Sequence, residues 1–140
     1  MKKMGKRRAA RELALKFLYQ TEFNSNSPDS ELNSFCERAN VSEETQDFTQ
    51  TLIKNIFVHK KEVDGLLKKI SANWVPDRMA MIDKNILRLG ICELLFDSTT
   101  PPKVVINEAV EIAKKFGTEE SPDFINGILD KVYKDSKVAP

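Results

Sequence analysis

Apolar residues recur at three- and four-residue intervals along nearly the whole chain, and no segment sustains the strict alternation of a half-buried strand. The pattern predicts an all-α protein, a compact bundle of about seven helices. A first helix from about residue 6 to residue 22 turns Leu13, Ala14, Phe17 and Leu18 inward and ends before the polar run N-S-N-S-P-D at 24–29. A short helix over residues 30–39 buries Leu32, Phe35 and Cys36. Ser42 followed by Glu43 and Glu44 is a start signal, because the hydroxyl caps first-turn amides and the acids suit the positive end of a helix dipole. Phe48, Leu52 and Ile56, then Val63, Leu67, Ile70 and Trp74, trace two stripes with a break favoured at the polar step 59–62. Val75-Pro76-Asp77 ends that stretch, since the residue before a proline is driven out of helical geometry.

From 78 to 96 the pattern changes. Ile82, Ile86, Leu87, Leu89, Ile91, Leu94 and Leu95 cover nearly every side of a helix, which belongs in the middle of the domain. Gly90 costs roughly 1 kcal/mol relative to alanine there, so it reads as a point of close approach by a neighbouring helix. After S-T-T-P-P, two amphipathic helices meet at F-G-T-E-E-S-P-D-F. Val105, Ala109, Ile112 and Phe116 line the first, and Phe124, Ile128, Leu129 and Val132 the second. Gly117 reads as a left-handed stop and Ser121-Pro122 as an N-cap with a first-turn proline, making a rigid corner that presents a helix start.

A chain of 140 residues with 41% hydrophobic content closes one good core, so residues 1–140 are expected to form a single domain, with 1–6 a flexible basic arm. Net charge is only +1, but six of the 22 basic residues lie within 1–11, where there is no acid; the other 16 face all 21 acids, leaving 12–140 at −5. If the arm continues the first helix, Lys3, Arg7, Arg8 and Arg11 share roughly 140° of arc, beside a core face holding Leu13 and Phe17. Such a face suits a polyanion, through counterion release. A merely solvated or disordered arm is the alternative from charge alone. A membrane surface fits less well, because large apolar anchors are missing.

Catalytic chemistry is hard to find. The single histidine, His59, reads as a solvated surface residue, so no His-paired nucleophile or multi-histidine metal site is evident. The five glycines form no phosphate-binding loop, and no cofactor is implied. Glu43/Glu44 and Glu119/Glu120 read as dipole-compensating acids at helix starts rather than acid/base pairs. Cys36 and Cys92 have no zinc or redox spacing and read as buried, unreactive residues in a reducing cytoplasm. No apolar leader and no run near the roughly 20 residues of a membrane span is seen, so a soluble, cytoplasmic, non-enzymatic protein is expected.

Three blocks carry a family resemblance: A-R-E-L-A-L-K-F-L-Y at 10–19, I-D-K-N-I-L-R-L-G-I-C-E-L at 82–94, and P-P-K-V-V-I-N-E-A-V-E-I-A-K-K-F-G-T-E-E-S-P-D-F-I-N-G-I-L-D-K-V at 101–132. Together they resemble the NusB family of transcription antitermination factors. The resemblance implies an all-helical adaptor that binds the single-stranded boxA element of ribosomal RNA transcripts with NusE, a small-subunit ribosomal protein, and helps RNA polymerase in the elongation complex pass terminators. It maps RNA contact onto the arginine-rich segment, Arg7, Arg8 and Arg11 with Lys3 beside them, and onto Phe116, Gly117, Thr118, Glu119, Glu120 and Ser121, with Phe124 and Asn126 just beyond. Guanidinium groups bind phosphate and stack on bases, and an aromatic at a corner can stack an unpaired base. Periodicity alone puts Phe116 and Phe124 in the core, and partial burial satisfies both readings. Asn107 and Glu108 read as structural braces. The partner surface maps onto Tyr19, Asp83 and Arg88. Ala9 interrupts the arginine run, and 24–47 matches no family pattern. A related helical domain precedes the catalytic part of some ribosomal RNA methyltransferases, so a protein-interaction domain with nonspecific RNA affinity is the alternative. An unoccupied face also leaves homodimerisation of the unbound protein open.

Overall fold

The computed structural model describes residues 2–23, 28–70, 80–97 and 99–138, with side chains over 6–20, 31–70, 80–97 and 99–136. Seven helices and no strand occur among the described residues: α1 Lys2–Phe23, α2 Pro28–Arg38, α3 Glu43–Val58, α4 Lys60–Ile70, α5 Met81–Phe96, α6 Pro102–Phe116 and α7 Ser121–Val138. They fall into two compact units, Met1–Asn55 and Ile56–Pro140.

In the first unit, α1 begins at Lys2, four residues before the expected start, because lysine, arginine and alanine are good helix formers. The basic segment is thus one continuous helix with the apolar residues after it. Ala10, Ala14, Leu15, Phe17 and Leu18 are buried, whereas Leu13, expected inward, is only half-buried. α2 starts at Pro28, since a proline fits the first turn, where its missing N–H costs nothing. Leu32 and Cys36 are buried, and Phe35 meets Phe17 in a tilted pair at 5.4 Å. Beyond α2, Asn40 has φ 53°, a left-handed conformation that asparagine tolerates better than most residues. Ser42 then caps α3 as its sequence predicts: its Oγ accepts from the Thr45 N–H at 3.2 Å, and its carbonyl accepts from the Gln46 N–H at 3.0 Å. The buried Thr49 hydroxyl lies 2.8 Å from the Thr45 carbonyl and 3.3 Å from that of Ala10, tying α3 to α1.

In the second unit, the break between α3 and α4 is a single residue, His59. His59 is not the solvated residue expected: its ring stacks on Phe96 with centroids 3.7 Å apart and planes 1° from parallel. Trp74 and Val75-Pro76-Asp77 lie outside the described residues. α5 packs against α4, α6 and α7, and its nine consecutive residues from Asn85 to Glu93 are buried, as all-round hydrophobicity predicts. A Cβ built on Gly90 would stand 2.8 and 2.9 Å from the Leu129 methyls of α7, so the glycine does mark a close approach. In α7 the core residues are Ile125, Ile128, Leu129 and Val132. Phe124, expected among them, is half-buried at the margin.

Candidate nucleic-acid interface

The start of α1 is where the cationic residues meet solvent. Lys6 and Arg8 are exposed, and Arg7 is half-buried. The N-cap at Ser42 sets where α3 begins and so brings Glu44 and Phe48 alongside this turn. The Lys6 Nζ lies 3.1 Å from the Glu44 carboxylate, and the Arg7 guanidinium sits 4.9 Å from the centroid of the Phe48 ring. Such a contact is worth about 0.5–1 kcal/mol where solvent reaches it, enough to bias the rotamer. Phe48 is half-buried. Sequence periodicity assigned it to the apolar stripe of α3, and nothing local announces that two arginines of another helix lie over it.

Arg11 lies on the covered side of α1. Expected on the open basic face, it is only 3% exposed and its guanidinium lies 5.5 Å from the same Phe48 ring. Positions 10, 11, 14, 15, 17 and 18 span about 160° of a helical wheel, and all are buried. The cationic row therefore runs from solvent at Arg7 and Arg8 into the packed side of α1 at Arg11. Lys3 lies in α1, with its side chain outside the described residues.

The second candidate segment is the corner between α6 and α7. Gly117 N–H donates to the Ala113 carbonyl at 2.9 Å, and its backbone is extended, φ −94° and ψ −167°, so the expected left-handed stop is not formed. Glycine is needed there for space instead. An added Cβ would stand 2.5 Å from Ser121 Oγ, 2.6 Å from Ser121 Cβ and 2.9 Å from the Ala113 carbonyl oxygen. Ser121 is 1% exposed, and its hydroxyl accepts from the Thr118 N–H at 2.9 Å, back across the turn, rather than serving a forward N-cap role. Its own N–H donates to the Thr118 carbonyl at 3.1 Å. This closed turn presents Thr118, Glu119, Glu120 and Asn126 to solvent, with Phe116 and Phe124 half-buried at its edges and Lys115 Nζ 5.3 Å from the Phe116 ring centroid. Ser121 is thereby the brace of the corner. Glu108, left out of the RNA set as structural, is 3% exposed; Asn107 is exposed.

The partner residues separate in the same way. Tyr19 is 42% exposed. Arg88, expected with it, is 5% exposed and turned inward: Nε and Nη2 donate to the two Asp64 carboxylate oxygens at 2.9 and 3.2 Å, and Nη1 donates to Asn85 Oδ1 at 2.8 Å. This two-pronged pair clips α4 to α5 and commits Arg88 to the interior. Asp83 is half-buried, and its Oδ1 is buried without a hydrogen-bond partner among the described residues.

Burial pushes the Cys92 thiol up to about 12, helped by the nearby Glu93 and Asp97 charges; burial also raises Cys36, against a hydrogen bond from Gln50. Among the described residues no three His, Cys, Asp or Glu side chains could hold a metal ion, and no helix is long and apolar enough to cross a membrane.

This all-helical architecture is that of known transcription antitermination factors. It matches Thermotoga maritima NusB with a TM-score of 0.83 at 34% identity, covering 92% of this chain and 91% of that one. It also matches a chain in the crystal structure of antitermination factors NusB and NusE with double-stranded RNA, with a TM-score of 0.84 at 28% identity, covering 94% and 98%. The transcription antitermination protein NusB of Desulforapulum autotrophicum is 46% identical over 131 residues, 92% of each chain. The chain belongs to the NusB family, whose model matches residues 8–134.

Proposed function

We propose that this protein is a non-catalytic cytoplasmic adaptor in transcription antitermination, acting as one domain. It holds a boxA-type single-stranded element of ribosomal RNA transcripts together with NusE, and so helps RNA polymerase read through terminators. The observation that carries the RNA reading is the start of α1, where Lys6 and Arg8 are exposed and Arg7 is held over Phe48. Lys3, Arg7 and Arg8 meet phosphate and bases, the buried Arg11 packs against Phe48, and the corner contributes Thr118, Glu119, Glu120, Asn126 and the edges of Phe116 and Phe124. Gly117 and Ser121 shape that corner. Tyr19 and Asp83 face the protein partner, with Arg88 as an internal support. Family membership across 8–134 and the likeness to a chain from a NusB, NusE and RNA complex support both partners.

The test is fluorescence anisotropy with boxA-type, scrambled and duplex RNA, with and without NusE, at several salt concentrations. Three phosphate contacts to a single strand give a log–log salt slope near −2, on the order of a 20-fold loss between 50 and 200 mM. Preference for boxA that strengthens with NusE and falls in Arg7→Ala/Arg8→Ala is the expected result. Equal, NusE-independent binding of all three RNAs refutes the reading.

A further inference from the structure

A shallow hollow opens in the first unit beside the first turns of α1 and α3, lined by Lys6, Arg7, Glu44, Asp47, Phe48 and Thr51, with about 270 Å³ of accessible space. Sites for drug-sized molecules run from about 300 to 1,000 Å³, so this one fits a single planar ring system. Its chemistry is divided. Lys6 and Arg7 supply the cationic donors, and the Arg7 guanidinium carbon lies 4.9 Å from the Phe48 ring centroid, setting a cation beside an aromatic ring. Glu44 is engaged by Lys6. The exposed Asp47 carboxylate has no hydrogen bond or ion pair among the described residues, and the Thr51 hydroxyl donates to the Asp47 carbonyl at 3.0 Å, leaving it only acceptor capacity. Next to a cation and an aromatic ring, the hydrogen-bonding groups that α3 leaves open to the hollow are therefore acceptors.

We propose that this hollow is a subsite for one nucleotide of the bound RNA, taking an unpaired base with an exocyclic amino group, adenine, cytosine or guanine, in preference to uracil. The inference rests on the RNA-binding reading and specifies the base class that part of the site accepts. The base stacks on Arg7 and Phe48, its amino group donates to Asp47 and Thr51, and its phosphate meets Lys6. Uracil has no amino group, and its one Watson–Crick donor, N3–H, lies between two carbonyl oxygens, so a carboxylate that accepts from it also faces an acceptor on either side. A carboxylate beside RNA lowers affinity by repulsion, so its place in a cationic site is accounted for by selectivity rather than strength.

The test uses the full chain and a boxA-type oligonucleotide in which each amino-bearing base is replaced in turn by uridine, read by fluorescence anisotropy. At one position uridine is expected to weaken wild-type binding about fivefold, the lower end for a base contact. In Asp47→Asn, whose amide can donate as well as accept, that penalty falls to about twofold or less while penalties elsewhere persist. Phe48→Leu lowers affinity for the parent oligonucleotide about fivefold through lost stacking; if its melting curve shows misfolding, the Asp47 arm decides alone, because Asp47 is exposed. Uridine penalties that are absent in the wild type, or unchanged at every position in Asp47→Asn, overturn the subsite. Wild-type protein that does not prefer boxA-type over scrambled RNA overturns the RNA reading itself, and that outcome is read without any variant.

Discussion

Replacing Gly117 by alanine tests the corner directly. The backbone there has φ −94°, which alanine adopts without strain, so any cost comes from contact. The new Cβ would stand 2.5 Å from Ser121 Oγ and 2.9 Å from the Ala113 carbonyl oxygen. Neither neighbour is the free end of a flexible chain: one is a buried hydroxyl held by the Thr118 N–H, the other is backbone inside α6. Relieving the overlap costs about 1–3 kcal/mol as overpacking. Displacing the hydrogen bond from Thr118 adds about 1 kcal/mol. Against this, the stiffer unfolded chain returns about 0.4–1 kcal/mol. The net expectation is a loss of about 2 kcal/mol, measured as a lowered urea midpoint with unchanged m-value. Gly127→Ala is the control: an added Cβ there meets nothing within 4 Å, so helix propensity should stabilise by up to about 1 kcal/mol. A neutral or stabilising Gly117→Ala would refute the claim that space, not backbone conformation, requires glycine at the corner.

Arg88→Met should lose about 2–3 kcal/mol in urea unfolding, because it strands the Asp64 carboxylate and the buried Asn85 oxygen; a double-mutant cycle with Asp64→Asn should show coupling of about 1 kcal/mol or more, and additivity would refute the clip. Gly90→Leu should cost more than about 3 kcal/mol, since a whole side chain must enter where even a Cβ lies 2.8 Å from Leu129, and retention of the wild-type melting temperature would count against close packing of α5 on α7. The Cys92 thiol, raised to about 12 when folded, stays protonated where the unfolded thiol ionises from its ordinary value of 9.0. Its contribution is thus complete below pH 9 and is lost as pH rises from 9 to 12, at up to about 1.4 kcal/mol per pH unit, and Cys92→Ala should flatten that part of the pH–stability curve. Arg11→Met should lower the melting temperature more than Arg8→Ala does, because Arg11 is buried and Arg8 exposed; the reverse order would contradict its inward placement.

Much of the fold is legible because helices are specified by short-range periodicity. The all-round hydrophobicity from Ile82 to Leu95 announces the inner helix α5, Gly90 within it announces a close approach, and Ser42 announces the start of α3. The family blocks nominate the corner and the basic segment as candidates by resemblance. What the sequence left open involves partners distant along the chain. Arg88 looks like a surface cation until α4 brings Asp64 against it, 24 residues away; His59 looks solvated until Phe96 covers it. Arg11 belongs to the same cationic row as Arg7, and only the depth at which α1 sits beside α3 sends one outward and the other under cover. Gly117 carries the usual sign of a left-handed stop, yet the turn needs its missing side chain rather than a positive φ. The physical reason is common to these cases. A helix and its apolar stripe follow from neighbours three or four positions apart, but the side chain that will cover a given residue depends on the offset and depth at which two helices pack, which no local pattern encodes.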